Sequence, residues 1–475
     1  MTLSSALRRR QKPRAKDAFD RRLLAPMILG SILNPVNSSI IAVSLIPIGV
    51  ALGAPPSATA WLVSALYLAT AVGQPVVGRL IDMYGPRRLF LVATGLVFTA
   101  GVVGTLAPNL GVLIAARVLL GFGTCAGYPS AMHLIRGEAR RTGRESPASV
   151  LTVLAVSTQT VSVLGPPLGG LLIGLGGWRS TLAVNIPLAL AAFVLAVLRL
   201  PRGPMREPDA AGGHRRLRDL DHPGILLFAG TLVALLLFLM EPGTSHWYLL
   251  VISAAVGAGF AVRELRTAEP FLDLRVLGGN LPLLVTYGRT VLAYLVSYAF
   301  FYGYTQWLEG GRGLSATPAG LLQLPVFAVG ILVAVTTGRR KELHGKLIVG
   351  AIGQLAGCAL MLLLGAHSPI WLLVGVAVVF GVPQGLNSLA LQNSVYHQAD
   401  ADRVGSSAGL QRTFMYLGAM MAAAAQGALY GPAADTAGLH HLAELMLAAG
   451  VLFFVVTVFD RSLRRSTRGR PAGER

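Results

Sequence analysis

Apolar runs of roughly twenty residues recur along this chain almost from end to end, and that recurrence limits the possible fold more than any other feature. A helix needs about 20 mainly apolar residues in a row to cross a bilayer. Inside lipid, each backbone polar group must bond within the structure, so such runs form helices. Alternating ten-residue segments of the kind that build membrane barrels are missing. The runs predict fourteen spans, at roughly 23–50, 58–78, 88–107, 110–135, 147–174, 181–200, 223–241, 247–263, 283–308, 317–338, 346–365, 370–395, 405–430 and 440–459. The expected fold class is an all-α integral membrane protein. Composition agrees: charged residues are 13% and hydrophobic residues 53% of the chain, whereas a soluble domain carries about 25% charged residues.

The net charge of +19 would suit a nucleic-acid partner if the basic residues clustered on a soluble face. They do not. Alternate connections between the predicted spans hold 35 of the 40 Lys and Arg. The other side keeps Arg179 and Arg312, while Arg117, Arg289 and Arg412 fall within spans. This asymmetry predicts both termini in the cytoplasm of a multi-pass protein in a bacterial inner or plasma membrane. Its partners are then the lipid bilayer and a small molecule, with no nucleic acid, and the chain is expected to be a monomer. Residues 1–22 are basic and polar without an apolar core, as in a cytoplasmic tail rather than a signal peptide. Cys125 and Cys358 both lie in apolar runs, so no disulfide is expected.

Polar connections divide the spans. The stretch 201–222 is rich in Pro, Gly and Arg, and 263–280 is a second polar stretch. The predicted organisation is an N-terminal tail (1–22), a six-helix bundle (23–200), linkers carrying two extra helices (201–280), a second six-helix bundle (281–460) and a C-terminal tail (461–475). Internal repetition supports two related bundles. Gly78, Asp82 and Gly85 follow the second span, and Gly338, Glu342 and Gly345 follow the tenth with the same spacing and basic residues after them. A parallel repeat of this kind is a known transporter plan.

The chain resembles the major facilitator superfamily, and within it the fourteen-helix drug:proton antiporter branch. Gly78-Arg-Leu-Ile-Asp82-Met-Tyr-Gly85-Pro-Arg87-Arg88 is similar to that superfamily's loop between helices two and three, with Pro86 where a basic residue is common. Leu113 to Gly123, containing Arg117, is close to its fourth-helix arginine motif. Gly165-Pro166-Pro-Leu-Gly169-Gly170 resembles the tail of the antiporter motif, with Thr152 and Val161 in place of the upstream glycines. Trp178 to Pro187, containing Asn185, looks like the branch's entry to helix six. The resemblance implies two rocking bundles and secondary export of small amphipathic molecules in exchange for protons. It implies no catalysis and no cofactor, with the proton gradient as the energy source.

Several residues carry the chemistry. Gly78, Asp82, Gly85, Arg87 and Arg88 read as a cytoplasmic gate, the glycines allowing close approach and Asp82 facing a helix amino end near Arg403–Ser407. Gly165, Gly169 and Gly170 form a small-residue face, and Pro166 frees a carbonyl. Arg117 lies about 10 Å into its span, where a charge faces a cavity or a partner. The resemblance would set an acid opposite it on the first helix; the chain offers Asn34 and Asn37 instead. None of the 21 acids falls in the middle third of a predicted span, and Glu309 stands at an outer end. Without a membrane carboxylate to recruit cations, neutral or acidic amphiphiles are the expected cargo, with Arg117 either attracting a polar group or bracing helices. Tyr287, Tyr294, Tyr298 and Tyr302 fall within an ~80° sector of one helical face, and either wall a cavity or pack. Gln74, Gln323, Gln354, Gln384, Asn387 and Gln411 are further polar candidates. Uptake or facilitated permeation by the same fold is the alternative. A membrane enzyme is a remote one, because no catalytic cluster stands at one depth. His214 and Asp219 have a catalytic-like spacing, but lie in a basic loop with no folded domain around it.

Overall fold

The computed structural model describes residues 20–142, 148–201, 221–240, 244–267, 270, 274–275, 279–337, 342–399, 404–430 and 433–460. Among them the regular structure is helical throughout, with no strand. The first half comprises α1 (Leu24–Ile40), a 3-10 turn Ile41–Val43, α2 (Leu45–Leu52), α3 (Pro56–Tyr84), α4 (Pro86–Thr105) and α5 (Leu110–Thr124). It continues with α6 (Gly127–Thr142), α7 (Ala148–Gly176), α8 (Ser180–Ala183) and α9 (Asn185–Arg199). A hairpin of α10 (His222–Met240) and α11 (Trp247–Arg266) follows. The second half begins with α12 (Leu281–Tyr298), a π-helical segment Ala299–Tyr304, and α13 (Thr305–Gly310). Then come α14 (Ala316–Leu321), α15 (Leu324–Thr337), α16 (Leu343–Met361), α17 (Ile370–Gln398), α18 (Val404–Tyr430) and α19 (Thr436–Phe459).

Local chemistry sets these boundaries. The Asn109, Asn280 and Asp435 side chains accept from the Val112, Leu283 and Gly438 amides in the first turns of α5, α12 and α19 respectively. Gly85 breaks α3 from α4 at φ +83°, a value glycine adopts without a Cβ penalty, and Pro86 opens the next helix where its missing N–H costs nothing.

Among the described residues, twelve segments are long and apolar enough to cross a membrane, against the fourteen read from the sequence. The runs 147–174 and 405–430 are not among the twelve. In α18, Gln411, Arg412 and Gln426 dilute the apolar run. Both are nonetheless continuous helices, of 29 and 27 residues.

The halves meet crosswise. Counting α1–α2 as one helix of its half, α3 is second and α7 fifth; in the other half α14–α15 is second and α18 fifth. The α3 helix packs on α18, and α7 packs on α14 and α15. Glycines stand at these crossings: a Cβ on Gly170 would meet the Ala316 carbonyl at 2.6 Å, one on Gly320 the Pro166 carbonyl at 2.5 Å, and one on Gly427 the Ser57 Cα at 3.2 Å. All three lie toward the face opposite the chain ends. The α10–α11 hairpin leans on α3 and α18. Its open end is clasped by Asp221, whose Oδ1 accepts from Arg263 Nε at 2.9 Å, Arg263 Nη2 at 2.7 Å and the Gly224 amide at 3.0 Å. Burial pushes this carboxyl up, but the Arg263 fork and the Gly224 amide outweigh it and hold it below the usual value.

A second clasp ties α12 to the end of α19: Arg289, buried within its span, donates to Asp460 Oδ2 at 2.6 Å and to Thr286 Oγ1 at 3.0 Å. Removing one partner of a buried pair strands the other and costs about 3–5 kcal/mol. Arg289→Ala should therefore lower the melting temperature in detergent markedly, and Arg289→Met combined with Asp460→Leu should recover most of the loss. A double variant no more stable than the single one would show that the pair itself stabilises the bundle.

Candidate functional site

A cavity of about 90 Å³ lies between the halves. The first half contributes Ser38 and Ser39 of α1. The second contributes Tyr294, Ser297 and Tyr298 of α12, Phe300 and Phe301 of the π segment, Val326 and Phe327 of α15, and Phe380 and Gln384 of α17. No charged side chain lines it. Two irregularities build this wall. Pro35 lies inside α1 and removes a helix donor; Ser38 and Ser39 then turn their hydroxyls onto the Pro35 carbonyl, at 3.1 and 2.6 Å. On the facing side the π segment adds residues to one turn.

That π segment redirects the tyrosine face. Tyr294 and Tyr298 reach the cavity, whereas Tyr302 is fully buried and donates to the Ser38 carbonyl at 2.9 Å. Its oxygen lies 2.9 Å from the Tyr67 hydroxyl; with the Tyr302 proton committed to Ser38, Tyr67 is the donor. The Tyr67 ring stacks on Tyr416 at 5.5 Å and meets Tyr298 edge-on at 5.4 Å, and Tyr298 stacks on Tyr302 at 5.8 Å. Five tyrosines from α3, α12, the π segment and α18 thus form one cluster across both halves. Tyr287 is not part of it: it donates to the Ser407 carbonyl at 2.9 Å and stacks on Phe414. Spacing on α12 pointed to Tyr294 and Tyr298. Tyr67 and Tyr416 carried no local signal.

Arg117 is 1% exposed and stands behind the cavity wall rather than on it. Its Nε donates to the Leu62 carbonyl at 2.8 Å and its Nη1 to the Asn37 carbonyl at 3.4 Å, while Nη2 has no partner. Tyr302 and Tyr67 lie within its electrostatic reach. The Asn37 side chain is committed elsewhere. Its Nδ2 donates to Asn185 Oδ1 at 2.6 Å, and Asn185 Nδ2 returns a bond to Asn37 Oδ1 at 2.9 Å. The Asn185 partnership was missed, although its helix had been singled out.

The other polar candidates scatter. Asn34 donates to Thr124 at 3.0 Å within the first half. Gln74 bonds to Tyr416, Gln354 donates to the Ala293 carbonyl at 3.1 Å, and Gln323 donates to Thr305 at 2.6 Å. Gln384 is on the cavity wall. Asn387 is buried one turn away, against Gly350. On α7, Gly165 and Gly169 face α1, where added Cβ atoms would strike Ser39 and Val43, and Gly170 faces the second half. The Pro166 carbonyl abuts Gly320.

At the α3–α4 turn, neither Gly78 nor Gly85 has a neighbour within 4 Å of an added Cβ. At Gly85 the backbone angle explains the residue. Arg87 donates to the Val197 carbonyl at 3.0 Å, within the first half, and Arg88 is exposed. The Asp82 side chain, Arg403, Ser406, 338–341 and the 214–219 stretch lie outside the described residues.

The sequence profile of the Major Facilitator Superfamily matches residues 27–423. YwoD, an MFS-type transporter of Bacillus subtilis (strain 168), is 32% identical over 450 residues, covering 93% of this chain and 97% of that protein. The tetracenomycin C resistance and export protein of Streptomyces glaucescens is 28% identical over 419 residues, 86% of this chain and 75% of its own. The solved nucleoside transporter NupG superposes with a TM-score of 0.63 at 12% identity, covering 94% of this chain and 99% of that one, a likeness of fold alone. With the profile spanning most of the sequence and a relative aligned along nearly all of it, the chain belongs to the Major Facilitator Superfamily and is a multi-pass membrane transporter.

Proposed function

We propose that this transporter exports small amphipathic organic molecules, neutral or anionic in preference to cationic, by alternating access with proton antiport. The observation that carries the cargo class is the cavity lining: six aromatic rings, three serines and a glutamine, with no charge to pair with a cation. Aromatic walls with a few placed hydroxyls suit flat organic molecules bearing polar groups. Arg117 behind the wall gives the site a positive bias, which suits anionic over cationic cargo. The direction of transport follows from relatives named for resistance and export, such as the tetracenomycin C protein. In this reading the chain crosses the bacterial cell membrane fourteen times as a monomer, with α7 and α18 as the two spans beyond twelve and both termini cytoplasmic. The two six-helix bundles rock about the cavity, and the α3–α4 turn with Asp82, Arg87 and Arg88 serves as the cytoplasmic gate. No cofactor takes part. The absence of a carboxyl from the cavity lining favours a second reading, a facilitative permease.

Proteoliposomes under an imposed pH gradient separate the two. Loaded with an uncharged, an anionic and a cationic fluorescent aromatic probe in turn, they should move the first two uphill, and collapse of the gradient should abolish that movement. Downhill movement indifferent to pH would establish the permease, and preference for the cation would refute the cargo class. Replacing Arg117 by Gln removes charged hydrogen bonds worth about 1.5–3 kcal/mol each, so transport should slow about tenfold or more with the fold retained. Arg117→Lys should not restore it, because a single ammonium cannot reach the Leu62 and Asn37 carbonyls together.

A further inference from the structure

The only acid on α13 is Glu309, and its surroundings are unusual. The α13 helix packs on the 3-10 turn Ile41–Val43 and on α2, both from the first half, and on α14 of its own half. Those segments read Ile-Ala-Val, Leu-Ile-Pro-Ile-Gly-Val-Ala-Leu and Ala-Thr-Pro-Ala-Gly-Leu, without a titratable residue among them. The preceding π segment adds Tyr302 and Tyr304, whose hydroxyls are bonded to the Ser38 and Leu373 carbonyls. On the remaining faces of α13, Gln306 donates to Gln426 and Trp307 to Thr436. The nearby charged or titratable groups are otherwise occupied: Arg312 donates to the Ala366 carbonyl, Asp435 caps α19, and His440 bonds the Leu364 carbonyl. Glu309 itself is 7% exposed, and its Oε1 is sealed from solvent with no hydrogen-bond partner.

An unpaired carboxylate is costly in such a place, and a group so situated takes up a proton instead. The place is also one that must come apart. The α13–α2 contact and the Gly170–Ala316 and Gly320–Pro166 crossings belong to the closure on the face opposite the chain ends. We propose that Glu309 is a proton site built into this seam, occupied while the seam is shut and vacated when it parts and water reaches the carboxyl. Protonation then favours closure of that face and deprotonation favours its opening. The acid works in the gate and not in the cavity, which accounts for a cavity without a carboxyl. This inference rests on the alternating-access reading above.

The test needs no cargo. Spin labels on Ala51→Cys and Ser315→Cys, exposed positions on the two sides of the seam, report its opening in the full chain in nanodiscs by pulsed electron resonance. Raising the pH from about 5 to about 9, across the range of perturbed carboxyls, should increase the long-distance population. Glu309→Gln, the same shape as the neutral acid, should stay closed throughout, as should Glu309→Leu. An unchanged pH response in Glu309→Gln, a pH-insensitive parent, or a shift that follows Na+ at fixed pH would each overturn the proposal. Failure of the probe-export assay with this distance response intact would instead fault the cargo reading alone.

Discussion

Holding the Arg117 guanidinium away from water, on two backbone carbonyls, is the constraint from which the centre of the first half follows. With no carboxylate beside it, the charge is met by the carbonyl dipoles of Leu62 and Asn37, which draws α5 against α3 and α1. Because Asn37 answers with its backbone, its side-chain amide is free to close the reciprocal pair with Asn185, and that adds α9. One residue further on, the Ser38 carbonyl receives Tyr302 from the other half while the Ser38 side chain faces the cavity. A single turn of α1 therefore joins the buried cation, the amide pair, the bridge between halves and the cavity wall. The cation stands one layer behind the surface that cargo would touch. It can bias the potential of the cavity without forming a rigid salt link there.

The seams between halves use a different chemistry. Lipid tails are as apolar as Leu, so helices associate in a membrane by close packing and interhelical hydrogen bonds rather than by hydrophobic exclusion. Gly170, Gly320 and Gly427 let backbone meet backbone at the crossings, and Thr317 adds a bond to the Gly170 carbonyl at 2.9 Å. Contacts of this type separate with little disturbance of side chains, which suits surfaces that part and rejoin. Within the first half the fit is tighter still: Gly165 and Gly169 seat α7 against α1 and the 3-10 turn that follows it.

Much of the helical layout was legible because burial in lipid leaves so plain a mark. The run 88–107 became α4 at Pro86–Thr105, and 370–395 became α17 at Ile370–Gln398. The site was legible only in part. The spacing of tyrosines on one helix pointed to Tyr294 and Tyr298, but it assumed a regular turn, and the π segment broke that assumption before Tyr302. Tyr67 and Tyr302 are 235 residues apart, and Arg289 and Asp460 are 171 apart. No periodicity relates residues at such separations; only the packing of whole helices does. At Gly85 it is the positive φ of the turn, which spacing alone does not reveal, that accounts for the residue.

The helices in each half's fifth position, α7 and α18, pack across the seam and carry small or polar residues at their contacts. A helix surrounded by lipid can be apolar all round, but α7 and α18 each offer faces to protein: Gly165 and Gly169 meet the α1 segment of their own half, Gly170 meets Ala316 of the second half, and Gln426 accepts from Gln306. Arg412 illustrates the consequence. It lies over the Tyr128 ring at 3.8 Å, and so spans from α18 to α6 in the other half. Polar groups of this kind lower the hydropathy of a segment because they face protein or a cavity instead of lipid. By contrast α10 and α11, apolar enough to pass easily as spans, form a hairpin that leans on α3 and α18 from outside.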